Sequence, residues 1–107
     1  MASALRLARG AALLAGLSAT TAFAQGDVPE KGFVPDAKTA AAIARAVLIP
    51  IYGETTIQHE EPLKASRHGE NWYVNGTLQC APKCLGGTAS VVLSAKDGRI
   101  LSVVHFK

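Results

Sequence analysis

The chain has 107 residues, of which eleven are Lys or Arg, eight are Asp or Glu and two are Cys. Two of the basic residues, Arg6 and Arg9, lie within the first 24 residues, so the rest of the chain carries nine basic against eight acidic side chains. This near-neutral balance argues against a nucleic-acid-binding surface, which is normally strongly basic. The length allows one small domain, which buries only ~60 to 65% of the surface of its unfolded chain.

The first 24 residues have the features of a secretory signal peptide. Arg6 and Arg9 form a basic start, residues 11–19 are mostly apolar, and residues 22–24 have the small-x-small pattern that signal peptidase cuts after. The apolar run is too short to cross a bilayer, which takes about 20 residues. We therefore predict cleavage near Ala24 and Gln25, no stable membrane insertion afterwards, and a mature protein in the periplasm or outside the cell.

Residues 25–35 are predicted to form a flexible lead-in to a single domain over residues 36–107. The segment holds two Gly and two Pro and has no periodic apolar pattern. Phe33 and Val34 are its large apolar residues, and we expect them to be able to pack on the edge of the domain.

A helix is predicted to follow the lead-in. Asp36 is expected to be its N-cap, because a carboxylate there accepts from free backbone N–H groups of the first turn. Pro50 removes a donor and crowds the preceding turn, so the helix is expected to end or kink near Leu48 or Ile49. Its apolar face follows the i, i+3, i+4, i+7 spacing of Ala40, Ile43, Ala44 and Val47.

Beyond Gly53 the pattern changes to four strands, predicted at residues 63–68, 72–79, 88–95 and 99–106. Trp72 lies on the apolar face of the second strand and is expected to be the main aromatic residue of the core. Gly76 on the same face indicates that a helix or bulge approaches the backbone there. The predicted fold class is α+β, with one N-terminal helix packed across one face of a four-stranded antiparallel sheet.

The turn of the last hairpin predicts how its two strands pair. A three-residue loop places apolar residues opposite one another, whereas a two-residue loop does not. The three-residue loop also places His105 on the core-facing side of the sheet. The favoured pairs are Leu93 with Leu101, Val91 with Val103, and Ala89 with His105.

The two cysteines, Cys80 and Cys84, lie in the long loop between the second and third strands. In an oxidising compartment we expect them to form a disulfide that stabilises this loop. The alternative is a copper-handling or thiol protein, since two thiolates can bind a soft ion such as copper(I). No third soft ligand is near in sequence, which weakens that alternative.

The other residues with chemical potential do not form a recognisable active site. His59, His68 and His105 have no metal-ligand spacing, and His105 is expected to have a structural role on the apolar face. Glu60 and Glu61 would point apart in a strand, which argues against a paired acid/base site. The sequence has no nucleophile elbow, zinc motif or phosphate-binding glycine loop, so we predict no catalytic residue, no metal and no cofactor.

The order of features resembles a family of bacterial immunity proteins that have a fold like nuclear transport factor two. The resemblance covers roughly residues 34–107, and the sequence departs from the family's pattern at residues 80–84. It implies a cystatin-like helix on a curved antiparallel sheet and a role in neutralising a toxin of a polymorphic toxin system. It transfers no catalytic residue. The stretches that carry it are VPDAKTAAAIARAVLIPIYGE, the strand from Trp72 with Gly76, Gly86-Gly87, KDGRI and the closing residues 105–107.

We therefore expect an exported, non-enzymatic immunity protein whose partner is a cognate protein toxin and not a nucleic acid. Its candidate binding or motif residues are Tyr52, Trp72, His105 and Lys107. The first alternative is a periplasmic small-ligand pocket protein or isomerase-like enzyme using His105, and a closed helix–sheet core would count against it. The second is the copper or thiol-handling protein using Cys80 and Cys84.

Overall fold

The computed structural model describes residues 26–107, so the predicted signal peptide and its cleavage site lie outside the described residues. The four strands form one antiparallel sheet in the order β1-β2-β3-β4, and the long helix α1 packs on one face of it. This arrangement confirms the predicted α+β class. The elements are α1 (Ala37–Tyr52), α2 (Glu54–Gln58), β1 (Lys64–His68), β2 (Asn71–Asn75), β3 (Ala89–Ser94) and β4 (Ile100–His105).

Helix α1 begins at the predicted N-cap. The Asp36 carboxylate accepts a hydrogen bond of 2.8 Å from the Thr39 backbone N–H. Hydrogen bonds from the side chain and then the backbone of Thr39 lower the pKa of Asp36. The cap therefore stabilises the helix above the carboxyl's unfolded pKa and is lost as the pH falls through the lowered folded value. The buried side of α1 is formed by Ala40, Ala44 and Leu48.

An end or a kink of α1 was predicted near Leu48 or Ile49. The predicted end is wrong, because the helix continues through Pro50 to Tyr52. Leu48 is fully buried and Ile49 packs against the core, so tertiary packing offsets the backbone hydrogen bond that proline cannot make. The Gly53 N–H then donates to the Ile49 carbonyl at 2.8 Å. Gly53 has a φ of 95°, a conformation that favours glycine.

The short helix α2 was not predicted, since strands were expected beyond Gly53. Five residues are too few to show a helical period in the sequence. Its formation is explained by Ile57, which is fully buried in the core.

The hydrophobic core lies between α1 and the inner face of the sheet. Trp72 belongs to it, as predicted, with 7% of its surface exposed, and its Nε1 donates to the Val34 carbonyl at 2.8 Å. Val34 is fully buried, and its N–H donates to the Ala95 carbonyl at 3.0 Å. The last residues of the predicted lead-in, around Val34, therefore pack on the sheet. The largest fully buried side chains are Leu48, Ile57, Leu93, Val34, Val74 and Val91.

The pairing of β3 with β4 confirms two of the three predicted residue pairs, Ala89 with His105 and Val91 with Val103. The third is wrong, because Leu93 pairs with Ile100 and not with Leu101. The turn is one residue longer than expected, since the Ser94 N–H donates to the Arg99 carbonyl at 2.9 Å and leaves residues 95–98 in the loop. A β-bulge at Leu101, the extra residue of β4, accommodates this shift in register between β3 and β4.

Strand β2 ends at Asn75, short of the predicted residue 79. The chain turns away because Thr77 bonds to the segment that follows α2. Its N–H donates to the Glu60 carbonyl and its hydroxyl to the Pro62 carbonyl, each at 2.7 Å. The second half of the predicted strand therefore anchors a loop.

Replacing Trp72 by Ala is expected to lower the free energy of unfolding by about 3 to 5 kcal/mol, because it opens a cavity and leaves the Val34 carbonyl unpaired. Tyr73→Ala is the matched control: Tyr73 is the next residue, faces the outer side and is 37% exposed. It should cost about 1 kcal/mol or less. Urea denaturation followed by circular dichroism measures both, and similar midpoints for Trp72→Ala and the unaltered protein would contradict the core assignment.

Candidate functional site

A buried carboxylate joins three segments at one end of the sheet. Glu60 follows α2 and is only 9% exposed. Its Oε1 accepts from the Ala89 N–H at 2.7 Å, where β3 begins. Its Oε2 lies 2.7 Å from Nε2 of His105, where β4 ends. We call this pair the Glu60–His105 clasp.

The clasp explains the glycine at position 76. A Cβ on Gly76 would lie 2.7 Å from Glu60 Oε1 and 3.1 Å from the Thr88 Cβ. The close approach predicted at Gly76 is therefore confirmed. The approaching group is the Glu60 side chain and not the expected helix or bulge.

Both ring nitrogens of His105 face oxygen acceptors. Nε2 faces Glu60, and Nδ1 lies 2.9 Å from the Phe106 carbonyl oxygen. The Tyr52 ring covers the imidazole with its centroid 5.2 Å away. Both carboxylate oxygens of Glu60 and both ring nitrogens of His105 thus already have a protein partner.

Sequence reasoning missed Glu60 because it weighed residues 60 and 61 only as a pair, whose side chains would point apart in a strand. The structure places them in the segment between α2 and β1, where Glu60 turns inward and Glu61 bonds to Nε of Arg45 at 2.5 Å. The two carboxylates do point apart, and each has its own partner, His105 for Glu60 and Arg45 for Glu61. The one available signal was His105, since a histidine on a core-facing strand position needs a polar partner.

Two cavities stand out on residues 26–107, and both are surface grooves. One of about 490 Å³ lies where α1 meets the segment leading into β1 and includes Arg45 and Leu63. The other, of about 410 Å³, lies beside the docked lead-in and includes Arg67 and Lys96. His105 lines neither groove, and neither separates α1 from the inner face of the sheet. In the same residues no group of three or more His, Cys, Asp or Glu side chains is arranged to hold a metal ion.

Cys80 and Cys84 form a disulfide, as predicted, in the loop between β2 and β3. Both sulfurs are therefore in a covalent bond and not available as thiolate ligands for copper(I). Inside the closed ring the Lys83 N–H donates to the Cys80 carbonyl at 2.7 Å. Just beyond the ring the Leu85 side chain is 99% exposed.

The candidate residues from the sequence fall in three places. Tyr52 and His105 lie together at the clasp. Trp72 is in the core and pairs with Leu93 of β3. Leu93 is four residues along the strand from Ala89, the residue that bonds to the clasp. Lys107 is exposed beyond the end of β4.

Residues 39–107 match a family described as NTF2 fold immunity protein. The match includes nearly all of α1 and every element after it. Neither the curated proteins nor the solved structures contain a match. Within residues 26–107, no helix is both long enough and apolar enough to cross a membrane.

Substitutions at Glu60 separate the charge of the clasp from its hydrogen bonds. Glu60→Ala leaves the Ala89 N–H and His105 without their acceptor and should lower the free energy of unfolding by about 2 to 4 kcal/mol. Glu60→Gln keeps an oxygen for Ala89 and offers its side-chain N–H₂ to His105, so the free energy of unfolding should fall by only about 1 kcal/mol. The measurement is urea denaturation at neutral pH.

Glu54→Ala is the control for removing an acidic residue. The Glu54 side chain is 67% exposed and its contact with Arg45 spans 3.9 Å, so its loss should be negligible. Equal losses for Glu60→Gln and Glu60→Ala would show that the charge, and not the hydrogen bonding, stabilises the clasp.

Proposed function

We propose, because the chain belongs to the NTF2 fold immunity protein family, that it neutralises a cognate protein toxin by binding directly to it. The family match over residues 39–107 is the observation that carries this proposal. A specific protein complex needs roughly 800 Å² of surface from each partner. A domain of this size offers that area through one sheet face or through the loops at one end of the sheet.

A non-enzymatic mode of action is favoured by the geometry of the clasp. An isomerase-like enzyme would need His105 to reach a substrate within hydrogen-bond distance. Its two nitrogens instead face Glu60 and Phe106, and neither surface groove includes it. The helix–sheet interface is filled by fully buried side chains, which counts against a ligand pocket there.

We also propose that the protein acts in the periplasm or outside the cell after cleavage of the signal peptide. The disulfide supports this location, since disulfides persist in oxidising compartments. A toxin met there acts outside the cytoplasm, which argues against a nuclease as the target.

The purified mature protein should bind a toxin domain that we expect the neighbouring open reading frame to encode, and co-expression should protect the host from that domain. His105→Gln should still bind with unchanged affinity in calorimetry, because a surface binder uses His105 only for packing and hydrogen bonding. Absence of binding by the unaltered protein would contradict the proposed function. A folded His105→Gln variant that binds but loses 10²- to 10⁴-fold in turnover of a small ligand would favour the enzyme.

Export is tested by the mass of the protein recovered from the periplasm of an expression host. Its N-terminus is expected at Gln25, and its mass should be two hydrogens below that of the dithiol. Reduction and alkylation should add two labels, whereas alkylation without reduction should add none. A chain that keeps residues 1–24 in the cytoplasm, with two alkylatable thiols, would overturn the proposed location.

A further inference from the structure

We infer that the loop at residues 80–87, here called the cystine loop, is the element that the protein inserts into a cleft of its toxin. The inference rests on the proposed function and adds which surface makes the contact and what kind of site receives it. It depends on three features of the loop: its fixed conformation, its exposed apolar tip and its single charge.

The cystine loop has a defined shape although it lies outside the helices and strands. The disulfide closes a ring of five residues, and the Lys83 N–H bonds across it to the Cys80 carbonyl at 2.7 Å. On one side Gln79 donates its side-chain amide to the Glu61 carbonyl. On the other side Gly87 lies directly against Phe106, with no room for a Cβ. A loop that is ordered before binding loses little conformational freedom in the complex.

The tip of the cystine loop presents an apolar side chain with no intramolecular role. Leu85 is 99% exposed, which is the highest exposure of any large apolar residue among residues 26–107. It stands immediately after the disulfide-bonded Cys84 and before Gly86, whose φ is 128°. Phe106, 58% exposed, lies against Gly87 at the end of the loop. Burial of one such leucine in a complementary pocket is sufficient to change affinity by about 10- to 100-fold.

The charge of the loop defines the partner further. Lys83 is the only charged residue between positions 71 and 95. Because the Leu85 side chain is 99% exposed, only a concave surface on the partner can enclose it. The complementary site is therefore an apolar cleft with a carboxylate at its rim. Clefts of this kind are where small substrates bind, so the inserted loop would block access of the toxin's own substrate.

The test compares two exposed apolar residues at opposite ends of the sheet. Leu85→Asp changes the tip of the cystine loop. Val28→Asp makes the same type of change at a residue that is 74% exposed beside the docked lead-in. Calorimetry against the purified toxin domain from the adjacent open reading frame should show at least a 10-fold loss of affinity for Leu85→Asp and less than a 3-fold change for Val28→Asp. Thermal melts of both variants should match the unaltered protein.

A third variant tests the fixed conformation of the loop. Cys80→Ser combined with Cys84→Ser keeps Leu85 but opens the ring, and affinity should fall by about 3- to 30-fold while circular dichroism shows a folded domain. Lys83→Glu should weaken binding, and more so at low salt, if a carboxylate faces it.

Each outcome bears on one proposal or the other. Full affinity of Leu85→Asp would overturn the cystine-loop inference and leave the immunity function standing. Equal losses for Leu85→Asp and Val28→Asp would also overturn it, because the effect would then be general to added charge. Failure of the unaltered protein to bind the toxin domain would contradict the proposed function, and the inference would fall with it.

Discussion

The arrangement of one whole end of the molecule depends on the Glu60 carboxylate. A carboxylate that is 9% exposed has to be hydrogen-bonded and paired, since an isolated buried charge is far too costly. Glu60 meets this requirement with the first residue of β3 and the last residue of β4, and its own carbonyl accepts from Thr77 after β2. One residue therefore fixes the ends of three strands relative to α2.

The clasp and the cystine loop lie at the same end of the sheet and are linked by hydrogen bonds and packing. The side chains of Thr77 and Gln79, which lead into the loop, donate hydrogen bonds to backbone carbonyls of the segment that follows Glu60. Gly87, at the end of the loop, packs on Phe106, which follows His105 of the clasp in the chain. The loop thus stands on a rigid base. The core and the clasp hold this base in place, whereas Leu85 at the tip is exposed.

Local signals in the sequence predicted most of the architecture. The Asp36 cap and the apolar spacing of α1 are short-range features, and the alternation in β3 and β4 set two of their pairs correctly. The errors arise where distant residues decide the local structure. Burial of Leu48 carries α1 through Pro50, Ile57 stabilises a helix too short to show a period, and Thr77 leaves the sheet to bond with Glu60. The clasp was missed for the same reason, because Glu60 and His105 are 45 residues apart and neither has a motif around it.

The bulge at Leu101 lies in β4, an edge strand that another molecule could pair with. Strands β1 and β4 are the edges of the sheet, and an open edge can pair with a strand of another molecule and start aggregation. The β1 edge carries the positive charges of Lys64 and Arg67, which repel the same strand of a second molecule. The β4 edge has no such charges between Ile100 and Val104, and its Leu101 is 43% exposed. The extra residue there interrupts the regular row of backbone donors and acceptors, so an incoming strand finds no continuous ladder to join. A turn one residue longer than the predicted three-residue loop thereby protects the more apolar edge of the sheet.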